Sequence, residues 1–220
     1  MAISQALPPA SGRRHVLAFR LLRGVSLACL LIGLLLIVTF AYGMWHGYSQ
    51  QQSLNQQWQQ QMGTPVTAPP ATPLDRSLQR PVKGIDFAIR VPRLKYFAAV
   101  REGTTSTILY SGPGRYPGTV WPGDPGTVGV AAHNVYWINF PQLAIRDEID
   151  LETRYGTYRY RVTGSKIVNP DDRTVLVPDA PGYHLVLTTC WPLWAGAFAT
   201  QRYVIFADQF SPRITGPDNL

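Results

Sequence analysis

Hydrophobic and polar positions divide the chain into three textures. Residues 24–45 (GVSLACLLIGLLLIVTFAYGMW) run for 22 residues without a charge. As a helix rising 1.5 Å per residue they span about 33 Å, enough for a bilayer core. Residues 46–83 are polar, first Gln-rich (QQQSLNQQWQQQ), then punctuated by Pro65, Pro69, Pro70, Pro73 and Pro81. The first half suits a few further helical turns; the second reads as an extended spacer too poor in apolar residues to fold alone. From about residue 84 the period shortens to two. Phe87–Val91 alternates and ends at Pro92, Thr127–Ala132 (TVGVAA) is a small apolar run, and Glu148–Glu152 and Thr157–Val162 face each other across Arg154-Tyr155-Gly156 as a hairpin. HLVLTT (184–189) and RYVIFA (202–207) are rich in strand formers. No window sustains a 3.6-residue period, although Asn139–Ile145 suits one helical turn. Seven or eight short strands with Gly/Pro turns predict an all-β domain, a barrel or sandwich, behind one transmembrane helix.

Charge orients this arrangement. Arg13, Arg14, Arg20 and Arg23 precede the apolar run, Tyr42 and Trp45 stand at its far end, and no Lys or Arg follows until Arg76. The positive-inside rule then puts the N-terminus in the cytoplasm and the β domain outside. A cleaved signal peptide is the competing reading, but its apolar stretch is about 7–15 residues, and Ala41-Tyr42-Gly43 is a poor cleavage site. The expected organisation is a basic cytoplasmic segment (1–23), a signal-anchor helix (24–45), a stalk (46–83), a β domain (84–210) and a tail (211–220). The formal charge of +7 owes four units to those arginines, leaving 16 Lys/Arg against 13 Asp/Glu without an aromatic-interleaved basic cluster. Nucleic acid is not an expected partner.

Two cysteines are present. Cys29 lies in the apolar run and reads as a small hydrophobe. Cys190 would be an unpaired thiol outside the membrane, unusual enough to need a reason. It follows the HLVLTT run, His133 follows TVGVAA, and Arg202 opens the next strand after the loop WPLWAGAFATQ. A thiol acts as a nucleophile when a base or cation assists it, which His and Arg supply. The residues alone leave plain readings open: a buried Cys, a surface or core His, and a solvated edge Arg. The remaining histidines (His15, His46, His184) and the acids form no spaced ligand set, so no metal or cofactor is expected.

Leu187-Thr188-Thr189-Cys190 with Arg202 twelve residues on resembles the L-x-T-C…R signature of sortases, and His133 matches that family's histidine. The likeness extends over IRVPRL (89–94), GPGRYPGTVWPG (112–123) and NFPQL (139–143), and is greatest to class E, with class D next. Where relatives read Ala-Gly-His-Arg, this chain has Ala131-Ala132-His133-Asn134. The resemblance implies a closed or nearly closed eight-stranded sortase-type barrel. It also implies a cysteine transpeptidase that cleaves a Leu-x-x-Thr-Gly-type sorting signal between Thr and Gly. The acyl group would pass through a Cys190 thioester to an amine of a cell-wall precursor or pilin. Arg202 would hold the oxyanion, with Thr189 shaping that site through its hydroxyl. Tyr116 would line the pocket and favour Ala at the second motif position, or else simply close a Pro/Gly turn. The loop Trp191-Pro192-Leu193-Trp194 departs from the family pattern in being more aromatic, and Trp191 and Trp194 are expected to wall the substrate groove, or else to pack. Two further classes fit a stalked β domain: an L,D-transpeptidase, whose Ser-x-Gly-Cys-x-Arg pattern is missing here, and a non-enzymatic adhesion or scaffolding module with Cys190 buried.

Overall fold

The computed structural model describes residues 11–62 and 76–212, with side chains from residue 18 onward. The start of the basic segment, the spacer with Pro65, Pro69, Pro70 and Pro73, and residues 213–220 of the tail lie outside the described residues. The chain divides into two compact units, 1–46 and 47–220.

Helix α1 runs from Ser11 to Met62. In the first unit its apolar side chains are exposed on every side, Leu27, Leu31, Leu35 and Phe40 among them. Such a helix has no core to face in water and suits lipid. Its most apolar window has a mean hydropathy of 2.6, and the helix is long and apolar enough to cross a membrane.

The second unit is a closed barrel of eight strands in the order β1-β2-β3-β4-β7-β8-β6-β5. These are β1 Ile85–Val91, β2 Tyr96–Glu102, β3 Gly114–Arg115, β4 Gly126–Ala131, β5 Glu148–Thr153, β6 Gly156–Val168, β7 Tyr183–Trp191 and β8 Gln201–Ser211. The one-turn helix α2 covers Ser106–Leu109, and a 3₁₀ turn at Phe140–Gln142 occupies the expected helical stretch. The predicted hairpin is present, pairing Glu148 with Arg161 through to Thr153 with Gly156. Along β5 buried and half-exposed positions alternate without a break. β6 reaches Val168, six residues past the predicted end, because it leaves β5 and continues along β8 through two register shifts. Its outer half faces a second partner, so the simple alternation fades there.

Two strands had no clear signal. β2 is read poorly because it is a short mixed run, and β3 because it has two residues. β4 and β7 lie parallel, with Gly126 opposite Tyr183 and Ala131 opposite Thr188. All six β4 residues are buried, which explains why GTVGVA is small and apolar rather than alternating. Phe87, Ile89, Val130, Leu151, Leu187 and Ile205 fill the interior. A second cluster, Val168, Val186 and Val204 with Val175, Leu176 and Phe206, covers the outside of β7 and β8. The two faces of β7 are therefore both covered near its middle, and only its C-terminal end is partly open.

Candidate active site

Strand register assembles the site. Cys190 is the penultimate residue of β7 and lies directly opposite Arg202 of β8. Residues facing each other across an antiparallel pair share a face, with Cβ atoms roughly 4.5–5.5 Å apart. On the other side of β7, Ala131 of β4 is opposite Thr188. Continuing that parallel register by two residues brings His133 level with Cys190. The main chain supports the continuation, since Ala132 N donates to Thr188 O at 3.2 Å. Cys190 is thus flanked by His133 and Arg202 on the outer face, where β4 and β8 run beside β7. The thiol is free and partly exposed.

The Arg202 cation also acts on His133 electrostatically. The His133 pKa lies below the ordinary imidazole value, first because the ring is half-buried, and second because of the Arg202 cation. Both causes penalise the imidazolium and so favour the neutral ring, the form able to accept a proton. Arg202 donates to the Gln201 carbonyl at 3.0 Å through one guanidinium nitrogen.

Period two along β7 separates the neighbours of Cys190. Thr188 shares its face, and the Thr188 and Tyr116 hydroxyls are 2.8 Å apart. Tyr116, expected from the sequence, therefore reaches the same outer face as Cys190, and Thr188 is a residue that sequence reasoning left out of the site. Its signal was available, two residues before Cys190 on the same side of a strand. Thr189 points the other way. It is 3% exposed, and its hydroxyl donates to the Ala132 carbonyl at 2.9 Å, tying the end of β4 to β7. Trp191 shares that inward side, its ring 5.5 Å from Tyr203, while Trp194 is 87% exposed in the β7–β8 loop.

Asn134, the departure from the family pattern, is buried. Its amide donates to the Leu193 carbonyl at 2.5 Å, and its side-chain oxygen accepts from Val135 N at 3.1 Å. One side chain thus joins the turn that carries His133 to the loop that follows Cys190.

Below Cys190 the outer face of β4, β7 and β8 is covered. The segment between β6 and β7 forms this wall, anchored where Thr127 N donates to Pro178 O and Gly126 N to Gly182 O. Gly129 lets that wall approach, since a Cβ there would lie 2.7 Å from a Leu176 methyl. A cavity of about 230 Å³ lies farther along, lined by Val175, Val177, Val186, Phe206, His184 and Asp208. Among the described residues, no cluster of three or more His, Cys, Asp or Glu side chains is placed to hold a metal ion.

Residues 89–210 match the model of the Sortase domain family. Sortase D of Bacillus subtilis is 27% identical over 119 residues, which cover 54% of this chain and 60% of that protein. Among solved structures, a Clostridium perfringens Sortase D5 transpeptidase superposes with a TM-score of 0.61 at 20% identity, over 74% of this chain and 99% of the other. Sortase E from Streptomyces avermitilis superposes with a TM-score of 0.52 at 28% identity, over 60% and 91%. Classes D and E, the two named by the resemblance, are both represented. With a family match over more than half its length and the closed eight-stranded barrel beneath it, the chain belongs to the sortase family.

Proposed function

We propose that this protein is a membrane-anchored cysteine transpeptidase that acts on Leu-x-x-Thr-Gly-type sorting signals at the cell surface. One observation carries the reading: strand register puts Cys190 between His133 and Arg202 on one accessible face. The neutral His133 takes the thiol proton as Cys190 Sγ attacks the Thr carbonyl carbon. The carbonyl electrons move onto oxygen, and the oxyanion is held by the Arg202 guanidinium. As the C–N bond breaks, the His133 imidazolium gives its proton to the departing Gly amine, leaving a Cys190 thioester. An incoming amine loses its proton to His133 as it attacks the thioester; the C–S bond breaks, and His133 returns that proton to the Cys190 thiolate. Protons and bonds balance without a cofactor.

A substrate contact beside Cys190 is supported by the Tyr116–Thr188 hydroxyl pair, which lies on the same face of β7 two residues from the thiol. The apolar helix supports an anchor, and the arginines before it favour a cytoplasmic N-terminus. The amine would come from a cell-wall precursor or a pilin.

The test uses the full chain in detergent with a Leu-x-x-Thr-Gly peptide and a glycine-based amine. Wild type gives the transpeptidation product and a thioester trappable on Cys190. Cys190→Ala gives neither, a loss of at least about 10³-fold, and Arg202→Ala lowers turnover by about 10²–10³-fold with less effect on peptide binding. Full activity in Cys190→Ala rules the mechanism out.

A further inference from the structure

The Gln-rich stretch after the apolar run was expected to belong to a stalk, yet part of it lies against the barrel. Gly47, Gln51, Asn55 and Trp58 are spaced four, four and three residues apart, so they form one stripe along α1. Gly is among the poorest residues for a helix interior, so its use there points to a need for close approach. A Cβ at Gly47 would lie 2.7 Å from the Tyr110 carbonyl oxygen and 3.0 Å from the Tyr136 hydroxyl. Gly24 and Gly33, in the same helix, have nothing within 4 Å.

That contact leads to the catalytic turn. The Tyr136 hydroxyl donates to the Tyr110 carbonyl at 2.6 Å, and Tyr136 N donates to the His133 carbonyl at 3.0 Å. Tyr136 therefore closes the turn that His133 opens. One helical turn beyond Gly47, the Gln51 side chain occupies the space that a side chain at Gly112 would fill. Gly112 has φ +138° and leads through Pro113 and β3 to Tyr116. Gln51 also donates to Ala99 O at 3.2 Å and to Asn55 Oδ1 at 2.8 Å.

Asn55 acts as a surrogate strand. β2 pairs with β3 only at Arg101 and Glu102, which leaves Phe97–Ala99 without a strand on that side. The Asn55 amide accepts from Ala99 N at 2.7 Å and donates to Phe97 O at 3.4 Å. It thereby gives the open edge the acceptor and donor that a neighbouring strand would supply. Trp58, 1% exposed, joins the main core.

We infer that the helical stripe Gly47–Trp58 is a positioning element of the active site, seating the His133 turn through Tyr136 and the Tyr116 segment through Gly112. The inference rests on the proposed roles of His133 and Tyr116. Its consequence is contrary to helix propensity: Gly47→Ala improves the helix and harms the enzyme.

The experiment compares full-length wild type, Gly47→Ala, Gln51→Ala and the control Gly33→Ala in detergent, following transpeptidation and the His133 ring resonance by NMR. Gly47→Ala is expected to move the His133 resonance and lower kcat about tenfold per folded molecule. Gln51→Ala is expected to raise KM several-fold through Tyr116, and Gly33→Ala to match wild type. A purely structural helix would lower the melting temperature of both variants while leaving kcat, KM and the resonance at wild-type values, which overturns the inference. If wild type has no transpeptidase activity, the functional reading fails, and the resonance still decides: a shift in Gly47→Ala upholds the seating of the turn, and no shift rejects it.

Discussion

His133 is where two perturbations of the same sign meet. Burial penalises its cation most, and the positive charge of Arg202 adds to the penalty. In Arg202→Gln the second cause disappears and the first remains, so the His133 pKa rises toward the ordinary value. Activity that needs neutral His133 then loses its acid limb at a higher pH than in wild type, on top of a fall in kcat of about 10²–10³-fold. An NMR titration of the four histidines with a parallel pH–rate profile checks this; a downward shift of the His133 pKa would contradict it. At this scale the sequence was informative about identity. Cys190, His133 and Arg202 were each visible as a reactive type at a strand end, and the free thiol was visible as an anomaly. Their side-by-side placement was not, because it depends on register across β4, β7 and β8, pairings between residues far apart in sequence. Thr189 illustrates the gap: it adjoins Cys190 in sequence, but its hydroxyl is engaged by the Ala132 carbonyl on the other face.

Between elements, the site is held by a few polar ties that no local pattern announces. Asn134 connects the turn after β4 to the loop after β7 through Leu193. Asn134→Ala leaves that partly buried carbonyl without its donor, a loss of about 1 kcal/mol. The expected outcome is a lower melting temperature together with a drop in kcat/KM, because the same bond locates both loops. Asn134→Asp keeps the shape but loses the donor, and is expected to match the alanine variant rather than wild type. Thermal unfolding and steady-state kinetics on the full chain check both. The strands were legible where one face met water: β5 alternates cleanly, and the hairpin it makes with β6 was predicted at its turn. β2 and β3 were not, since β3 is two residues of backbone whose pairing is set by neighbours rather than by its own side chains.

Across the whole molecule, the barrel encloses an ion pair that the mechanism does not use. Arg115 Nε donates to Asp86 Oδ2 at 2.7 Å, and the Asp86 side chain is 0% exposed. Burial raises the Asp86 pKa more than the Arg115 hydrogen bond and charge lower it, leaving it at about 6. The folded chain therefore holds this proton more tightly than the unfolded chain, where a carboxyl titrates near about 4. The stability it contributes is complete below about pH 4 and is lost as pH rises through about 6. Asp86→Asn cannot titrate, so the difference in melting temperature between wild type and this variant is expected to change across that window and to be flat above it. A constant difference from pH 4 to 7 would refute the shift. By itself the sequence determined the apolar span, the all-β character of residues 84–210, the reactive types and the family, because these rest on local period and on short ordered motifs. Only the tertiary structure decided which strands adjoin, and so which side chains flank the thiol, which hydroxyl shares its face, and where Gln51, Asn55 and Trp58 go. The physical reason is common to all of them: a strand's period tells which residues share a face, while its partners are chosen by packing and hydrogen bonding between segments distant in the chain.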